Sequence, residues 1–150
     1  MSGVTANFPE VRNAKVSEGV FFDQSGIDGR SRVAVLGSEV RRSLFRDEDP
    51  IGRRIRINDI SFEVIGVMAS RGGSFGPNDD SVVFVPITTA QRRLFPPAPG
   101  VVNKIDASVL YIQAVDERSV DTLIDQITTV LRQRNNLTYQ DNNFTIVTQE

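Results

Sequence analysis

The alternation of apolar and polar residues predicts a buried strand followed by a capped helix early in the chain. Val33–Leu36 is a short, continuous apolar run ending at Gly37, which is typical of a strand buried on both faces. Ser38 then predicts a helix N-cap, because its hydroxyl can accept one of the unpaired backbone N–H groups of the first turn. Asp49 and Pro50 predict the stop that follows this helix.

The helix itself has one predicted inward face. Val40, Leu44 and Phe45 recur at helical spacing and predict the apolar stripe that packs on the protein. Arg41 and Arg42 fall on the other side, so we expect them to face solvent.

The next segment predicts a β-hairpin whose register can be derived from its sequence. Asn58 and Asp59 both tolerate left-handed backbone geometry and suit a two-residue turn. The predicted facing pairs are Ile57 with Ile60, Ile55 with Phe62, Arg53 with Val64, Arg54 with Glu63 and Arg56 with Ser61. The apolar pairs share one face and the polar pairs the other, so pattern and turn length select the same register. The apolar run Val64–Met68 predicts that the second strand enters the middle of a sheet.

Two further segments complete the predicted β-rich part. Val82–Val85 predicts another buried strand, ended by Pro86. Thr88 and Gln91 have the spacing of a capping box and predict a short helix through Leu94.

The region before Val33 is less regular. Lys15–Val16 and Val20–Phe22 are candidates for short extended pieces. Asp23–Ser31 is polar, contains two glycines, and is expected to be a loop with room for one helical turn.

Ser70–Ser81 predicts a long connecting loop and holds the candidate contact residues. Its glycines could let backbone N–H groups approach an anion, but the spacing of a phosphate-binding loop is absent and a strand follows instead of a helix. We therefore interpret it as a connector. Arg71, Ser74 and Phe75 are the residues that we expect to contact a partner, Phe75 above all because no core position is predicted for it.

The end of the chain predicts a β-α-β unit. Pro96–Gly100 is typical of a rigid connector, which divides a β-rich lobe (residues 1–96) from a tail (residues 101–150). Ala107–Val115 and Phe144–Val147 are the predicted strands of this tail.

The predicted tail helix runs from Glu117 to about Arg134, with Asp116 as its N-cap. Its apolar residues fall on one face: Val120, Leu123, Ile124, Ile127, Val130 and Leu131. The fold class predicted for the whole chain is α+β, a β-rich lobe with short helices beside this β-α-β half.

Composition removes several classes of function. The 150 residues include no Cys and no His, so thiol chemistry, a Ser-His-Asp triad and the commonest zinc ligands are excluded. A net charge of −2 gives no reason to expect nucleic acid. The acidic clusters Asp47–Asp49 and Asp79–Asp80 do not match a calcium-binding loop. We predict no catalytic residue, cofactor or metal site.

The order of motifs resembles the periplasmic core domain of MacB-type ABC transporter permeases, a group that includes lipoprotein-releasing permeases and FtsX-like proteins. The resemblance spans about Gly3 to Gln149 and lies in five motifs: SEGVFF at 17–22, VAVLG at 33–37, SEVRRSLF at 38–45, DPIGRRIRINDISFEVIGVM at 49–68 and VVFVPITTAQRRLF at 82–95.

The resemblance implies a domain outside the cytoplasmic (inner) membrane, facing the periplasm or cell exterior, between the first and second transmembrane helices. Residues 1–96 would be its Sabre-like lobe, and residues 101–150 the C-terminal half of a porter-like lobe whose other half precedes the point where this sequence starts. The implied function is non-catalytic mechanotransmission.

The partners implied by the resemblance are the permease's own transmembrane helices, a cytoplasmic ATP-binding domain or subunit, and an extracytoplasmic adaptor protein or substrate, in a dimeric transporter. Without the preceding half-lobe, we expect the two tail strands to pair directly or the chain to self-associate through this lobe.

Two alternatives to a transporter domain remain open from the sequence. The chain could be a stand-alone extracytoplasmic module that binds a peptide or small ligand, with Ser70–Ser81 as the binding loop. An enzyme using paired carboxylates ranks last, because no two acids are placed in a shared site by the sequence.

Overall fold

A computed structural model describes residues 1–71, 79–94, 110–134, 137 and 144–148. The chain divides into two units, Met1–Tyr111 and Ile112–Glu150. Among the described residues, no helix has the length and apolar character needed to cross a membrane.

The first unit is a mixed sheet with short helices. Its elements, in chain order, are β1 (Ser2–Val4), α1 (Phe8–Val11), β2 (Val16–Gly19), α2 (Gln24–Asp28), β3 (Val33–Leu36), α3 (Ser38–Phe45), β4 (Arg54–Ile57), β5 (Ile60–Met68), a 3₁₀ turn (Asp79–Ser81), β6 (Val83–Pro86), α4 (Ile87–Thr89) and a π-helical turn (Ala90–Leu94).

The six strands form one sheet in the order β1-β6-β3-β5-β2, with β4 paired to β5. β3 is parallel to β5 and antiparallel to β6, and β1 is parallel to β6. The strands and short helices confirm the predicted α+β fold class. They also confirm that β5 enters the middle of the sheet, where it pairs with β2, β3 and β4.

The predicted hairpin register is confirmed across the whole of β4. Arg54 pairs with Glu63, and Ile55 with Phe62. The turn residues Asn58 and Asp59 have φ angles of 48° and 64°, as a tight two-residue turn requires.

Both faces of the sheet are covered by core residues. Adjacent residues of β3 illustrate this: Val35 belongs to the cluster of Phe8 and Phe84, whereas Ala34 belongs to that of Phe62. Ala34, Val35 and Phe62 are completely buried. Burying each large apolar side chain contributes about 1.5–3 kcal/mol before conformational entropy is subtracted, so this packing on two faces stabilises the sheet.

The start of α3 differs by one residue from the prediction. Gly37, not Ser38, is the N-cap, because the Gly37 carbonyl accepts the first helical bond from Arg41 N at 3.0 Å. Gly37 stays extended because its own N–H donates to the Val82 carbonyl and so continues the sheet.

The predicted stripe of α3 is only partly right. Val40 and Phe45 pack against a core cluster, but Leu44 is 56% exposed. Arg41 does not simply face solvent as predicted: its Nε lies 3.4 Å from Glu18 Oε1, and its Nη1 donates to the Arg46 carbonyl. The side of the helix that contains Arg41 is therefore turned toward β2.

The predicted capping box at Thr88 is not found. The helix begins at Ile87, with Pro86 as its N-cap, and the strand before it lies one residue later than predicted. The hydroxyls of Thr88 and Thr89 donate instead to the carbonyls of Ile27 and Ser31. These hydroxyls thus join the helix to α2 and the segment after it.

Of the two extended pieces predicted near the N-terminus, the one at Val16 is found in β2, whereas Val20–Phe22 forms no strand. The single helical turn allowed within Asp23–Ser31 is α2, capped by the Asp23 side chain, which accepts from Gly26 N. The sequence did not predict β1 or α1.

The second unit contains a 3₁₀ turn (Glu117–Ser119) that continues into α5 (Val120–Arg134). The predicted cap is confirmed, since Asp116 Oδ1 accepts from Ser119 N at 2.8 Å. The predicted burial of the apolar face is not found among the described residues: α5 has no buried residue, and Val130 is 51% exposed.

The two predicted tail strands are wrong in their described parts. Residues 110–115 and 144–148 contain no strand, and the part of the first prediction before Leu110 lies outside the described residues. Direct pairing of the two strands is therefore not found in these parts. A strand needs hydrogen-bonded neighbours to be stable, and these two segments have none among the described residues.

Candidate functional site

Arg71 is the one predicted contact residue that the structure describes, and it joins the ends of β5 and β6. Its Nη1 lies 3.2 Å from Asp79 Oδ2, and its Nη2 donates to the Arg12 carbonyl. Arg12 Nη2 lies 3.7 Å from the same Asp79 oxygen. Asp79 is thus shared by two guanidinium groups. Ser74 and Phe75 lie outside the described residues.

Asp80 is the buried carboxylate of the same corner. It is 6% exposed, and its carboxylate accepts from Ser70 Oγ and from Arg71 N, each at 3.0 Å. A buried carboxylate requires such donors, because an unpaired charge there would be costly. Ser70, Arg71, Asp79 and Asp80 are called the Arg71 clamp below.

Arg12, which contacts the clamp at Asp79, also contacts the ring of Tyr111. The Arg12 Cζ atom lies 4.3 Å from the centroid of the Tyr111 ring, within the range of a cation–π contact. The Tyr111 ring also meets Phe8 edge-on, with centroids 6.1 Å apart and planes at 75°. Neither Arg12 nor Tyr111 was predicted, since contacts so distant along the chain leave no trace in local periodicity.

The cavity beside the clamp is too small for a ligand. It has a volume of about 10 Å³. Its lining includes the core residues Phe8, Met68 and Phe84, together with the polar residues Arg71, Asp79 and Asp80. A single water molecule needs about that much space. Within the described residues, this corner is therefore a packed polar junction.

Two residues of the acidic cluster Asp47–Asp49 have local structural contacts. Asp49 Oδ1 accepts from Ile51 N at 3.0 Å, which shapes the turn before β4. Glu48 Oε2 lies 3.6 Å from Arg53 Nη2 in an exposed pair. Among the described residues, no group of three or more His, Cys, Asp or Glu side chains could hold a metal ion.

Two exposed carboxylates have a shifted pKa because they cap helices. The pKa of Asp23 is lowered, first by the Ser25 hydroxyl and then by the Gly26 N–H. The pKa of Asp116 is lowered by the Ser119 hydroxyl and then by the Ser119 N–H. Donors to the ionised oxygen favour the charged form, so both groups stabilise helix starts.

These features define an α+β domain with core residues on both faces of its sheet and a polar junction at one corner. The chain belongs to the family of MacB-like periplasmic core domains, whose family model matches residues 1–130.

Curated relatives agree with this assignment. The pyoverdine export ATP-binding/permease protein PvdT of Pseudomonas aeruginosa is 38% identical over 83% of this chain and 19% of its own length. The macrolide export ATP-binding/permease protein MacB of Chlorobaculum tepidum is 33% identical over 94% of this chain and 21% of its own length. The chain thus spans about a fifth of these relatives.

Solved structures share the fold. The periplasmic region of MacB from Actinobacillus actinomycetemcomitans has a TM-score of 0.64 at 18% identity, covering 89% of this chain and 56% of that one. The extracellular domain of the ABC-type transporter YknZ from Gram-positive bacteria has a TM-score of 0.66 at 15% identity, covering 89% of this chain and 63% of that one.

Proposed function

We propose that this chain is the extracytoplasmic part of an ABC transporter permease in the inner membrane and that it transmits nucleotide-driven movement without catalysing a reaction. Family membership supports the transporter setting. The observation that carries the mechanical role is the sheet with a core on both faces. A stiff body moves as a unit and passes on displacement.

The packing of Gly37 adds to this stiffness. Its backbone lies so close to the Asp79 and Asp80 carbonyls that a Cβ atom would collide with both. The end of β3 is therefore locked against the 3₁₀ turn that leads into β6. Such close backbone contacts resist local deformation.

The proposed division into lobes assigns residues 1–96 to a Sabre-like lobe and residues 101–150 to the C-terminal half of a porter-like lobe. Helix α5 supports the second assignment, because its apolar residues are only partly covered by the described chain. The complementary half of the lobe would cover that face and supply a strand partner.

The proposed partners follow from the transporter setting. They are the permease's transmembrane helices, a cytoplasmic ATP-binding domain or subunit, an extracytoplasmic adaptor or cargo, and a second permease copy. The names of PvdT and MacB, both export ATP-binding/permease proteins, support an export role. The cavity beside the Arg71 clamp has room for about one water, so this corner gives no support to a stand-alone small-ligand module.

The test uses the full-length permease that contains this domain. The domain itself has no Cys, so, in a permease whose other cysteines have been replaced, Asp59→Cys places a single spin label at the hairpin tip of each copy. We expect trapping of the ATP-binding part with ADP and vanadate to shift the distance between the two labels.

The control is a permease whose ATP-binding part cannot hydrolyse ATP, in which no vanadate-dependent shift is expected. An unchanged label distance in the active, trapped protein would contradict transmission through this domain. A gene that encodes no transmembrane segments beside the domain would contradict the transporter setting itself.

A further inference from the structure

Arg12 links two parts of the first unit that are far apart in sequence. Its guanidinium group lies over the Tyr111 ring, 4.3 Å from Cζ to the ring centroid. The same group approaches Asp79 Oδ2 at 3.7 Å, and the Arg12 carbonyl accepts from Arg71. One residue therefore contacts both Tyr111 and the Arg71 clamp.

Tyr111 is the residue at which the backbone leaves the first unit. Its ring is held by Arg12 on its face and by Phe8 edge-on. Phe8 is anchored in the core, 7% exposed, with its ring 4.9 Å from that of Phe84. Tyr111 therefore contacts both ends of α1: Phe8 is its first residue and Arg12 is its C-cap.

The clamp joins the segments that follow β5 and precede β6, two strands that lie on either side of β3 in the sheet. Arg71 follows β5 and Asp79 precedes β6, and each is bonded to Arg12 as well as to the other. The side chain of Arg12 is only 13% exposed, so its planar group has little freedom to turn. A displacement of the Tyr111 ring would remove one of the contacts that orient it.

We propose that Arg12 is a relay that couples the position of Tyr111, where the chain leaves the first unit, to the closure of the Arg71 clamp. A guanidinium group held over the Tyr111 ring presents its Nη2 to Asp79, and loss of the ring contact lets that group turn away. The coupling is reciprocal, so opening the clamp also loosens the Tyr111 ring. This inference concerns the folded domain and does not depend on the transporter assignment.

Amide hydrogen exchange of the 150-residue chain tests the relay in one direction. The reporters are the N–H of Arg71, bonded to Asp80, and the N–H of Val82, bonded to the Asp79 carbonyl. We expect Tyr111→Leu to speed exchange at both amides about two- to fivefold, as loss of a partly exposed cation–π contact allows. Tyr111→Phe keeps the ring face and should leave both rates unchanged.

The reverse direction uses NMR of the Tyr111 ring. Asp79→Asn weakens the clamp without touching Tyr111, and we expect it to shift the aromatic resonances of Tyr111. Arg12→Lys keeps the charge but loses the planar group, so it should change both the ring resonances and the reporter amides. This variant carries the test if Tyr111→Leu fails to fold.

A double-mutant cycle separates a relay from independent contacts. In a relay, Tyr111→Leu combined with Asp79→Asn accelerates exchange by less than the product of the single effects, because each already breaks the shared element. The proposal is overturned if the effects simply multiply. It is also overturned if Tyr111→Leu leaves the reporter amides unchanged while Asp79→Asn accelerates them.

Discussion

Gly37 lies directly against the backbone of Asp80: a Cβ atom on residue 37 would fall 2.4 Å from the Asp80 carbonyl oxygen. The φ of Gly37 is −64°, which alanine adopts freely. On backbone entropy alone, Gly37→Ala would stabilise the fold by about 0.4–1 kcal/mol. The collision with a carbonyl outweighs this gain, so we expect a net loss of about 1–3 kcal/mol in the free energy of unfolding, measured by urea denaturation.

Gly52 provides the matched control for Gly37. It has a φ of 81°, but a Cβ atom added to it would meet no other atom within 4 Å, so only backbone conformation matters there. Gly52→Asn should cost less than about 1 kcal/mol, because Asn tolerates left-handed geometry. Equal losses for the two variants would contradict the steric explanation at Gly37.

The hairpin turn predicts a stabilising substitution. Asp59 has a φ of 64°, where a side chain is disfavoured, and Asn-Gly is the preferred pair for this turn. We expect Asp59→Gly to raise the urea midpoint, with a gain of up to about 1 kcal/mol, and Asp59→Val to lower it by about 1–2 kcal/mol. A lower midpoint for Asp59→Gly would show that the aspartate contributes more than its backbone strain costs.

The cap of α5 predicts a pH dependence. The pKa of Asp116 is lowered below its usual 3.8, chiefly by the Ser119 hydroxyl. The ionised form is thus favoured in the folded state, so its stabilisation is present above pH 3.8 and is lost as pH falls through the lowered pKa. Ser119→Ala should raise the pKa of Asp116 toward 3.8, as measured by carboxyl ¹³C titration.

Helix α2, which is capped by Asp23, supplies the control for this titration. Ser25→Ala should raise the pKa of Asp23, whose first stabilising donor is the Ser25 hydroxyl, and leave that of Asp116 unchanged. If Ser119→Ala leaves the pKa of Asp116 in place, the hydroxyl is not its main cause.

The hairpin was predictable because two local constraints agree there. Turn length fixes the register, and side-chain alternation fixes it again through pairs such as Ile55 with Phe62. Thr88 shows the opposite case: its spacing to Gln91 fits a capping box, yet its hydroxyl bonds to the Ile27 carbonyl. The hydroxyl bonds to a carbonyl that is distant in sequence instead of capping its own helix, and the local sequence does not reveal such a distant partner.

The clamp was not predicted, for the same reason. Arg71 was expected to contact a partner, which stays a prediction, and within the chain it bonds to Asp79 and Arg12. The contact between Arg12 and Tyr111 is hidden by their distance along the chain, because neither residue belongs to a local pattern that points to the other. The prediction of the tail strands was wrong in their described parts, because a strand depends on neighbouring strands that the described residues do not supply.

The apolar face of α5 predicts self-association of the 150-residue chain. Ile127 lies in the middle of that face and is only partly buried, and Val130 beside it is exposed. Water-exposed apolar surface of this kind favours contact between copies. We expect sedimentation velocity to show a concentration-dependent dimer, and Ile127→Glu to shift the chain to monomer without changing the unfolding of the first unit.

Gln126→Glu is the matched control for this last experiment, because Gln126 is exposed on the same helix and the substitution adds the same charge. It should leave the dimer intact. Dissociation by both variants would indicate that charge alone opposes association, and a chain that is monomeric at every concentration would show that the face is not used between copies. Dissociation by Ile127→Glu alone places the contact on the apolar face of α5.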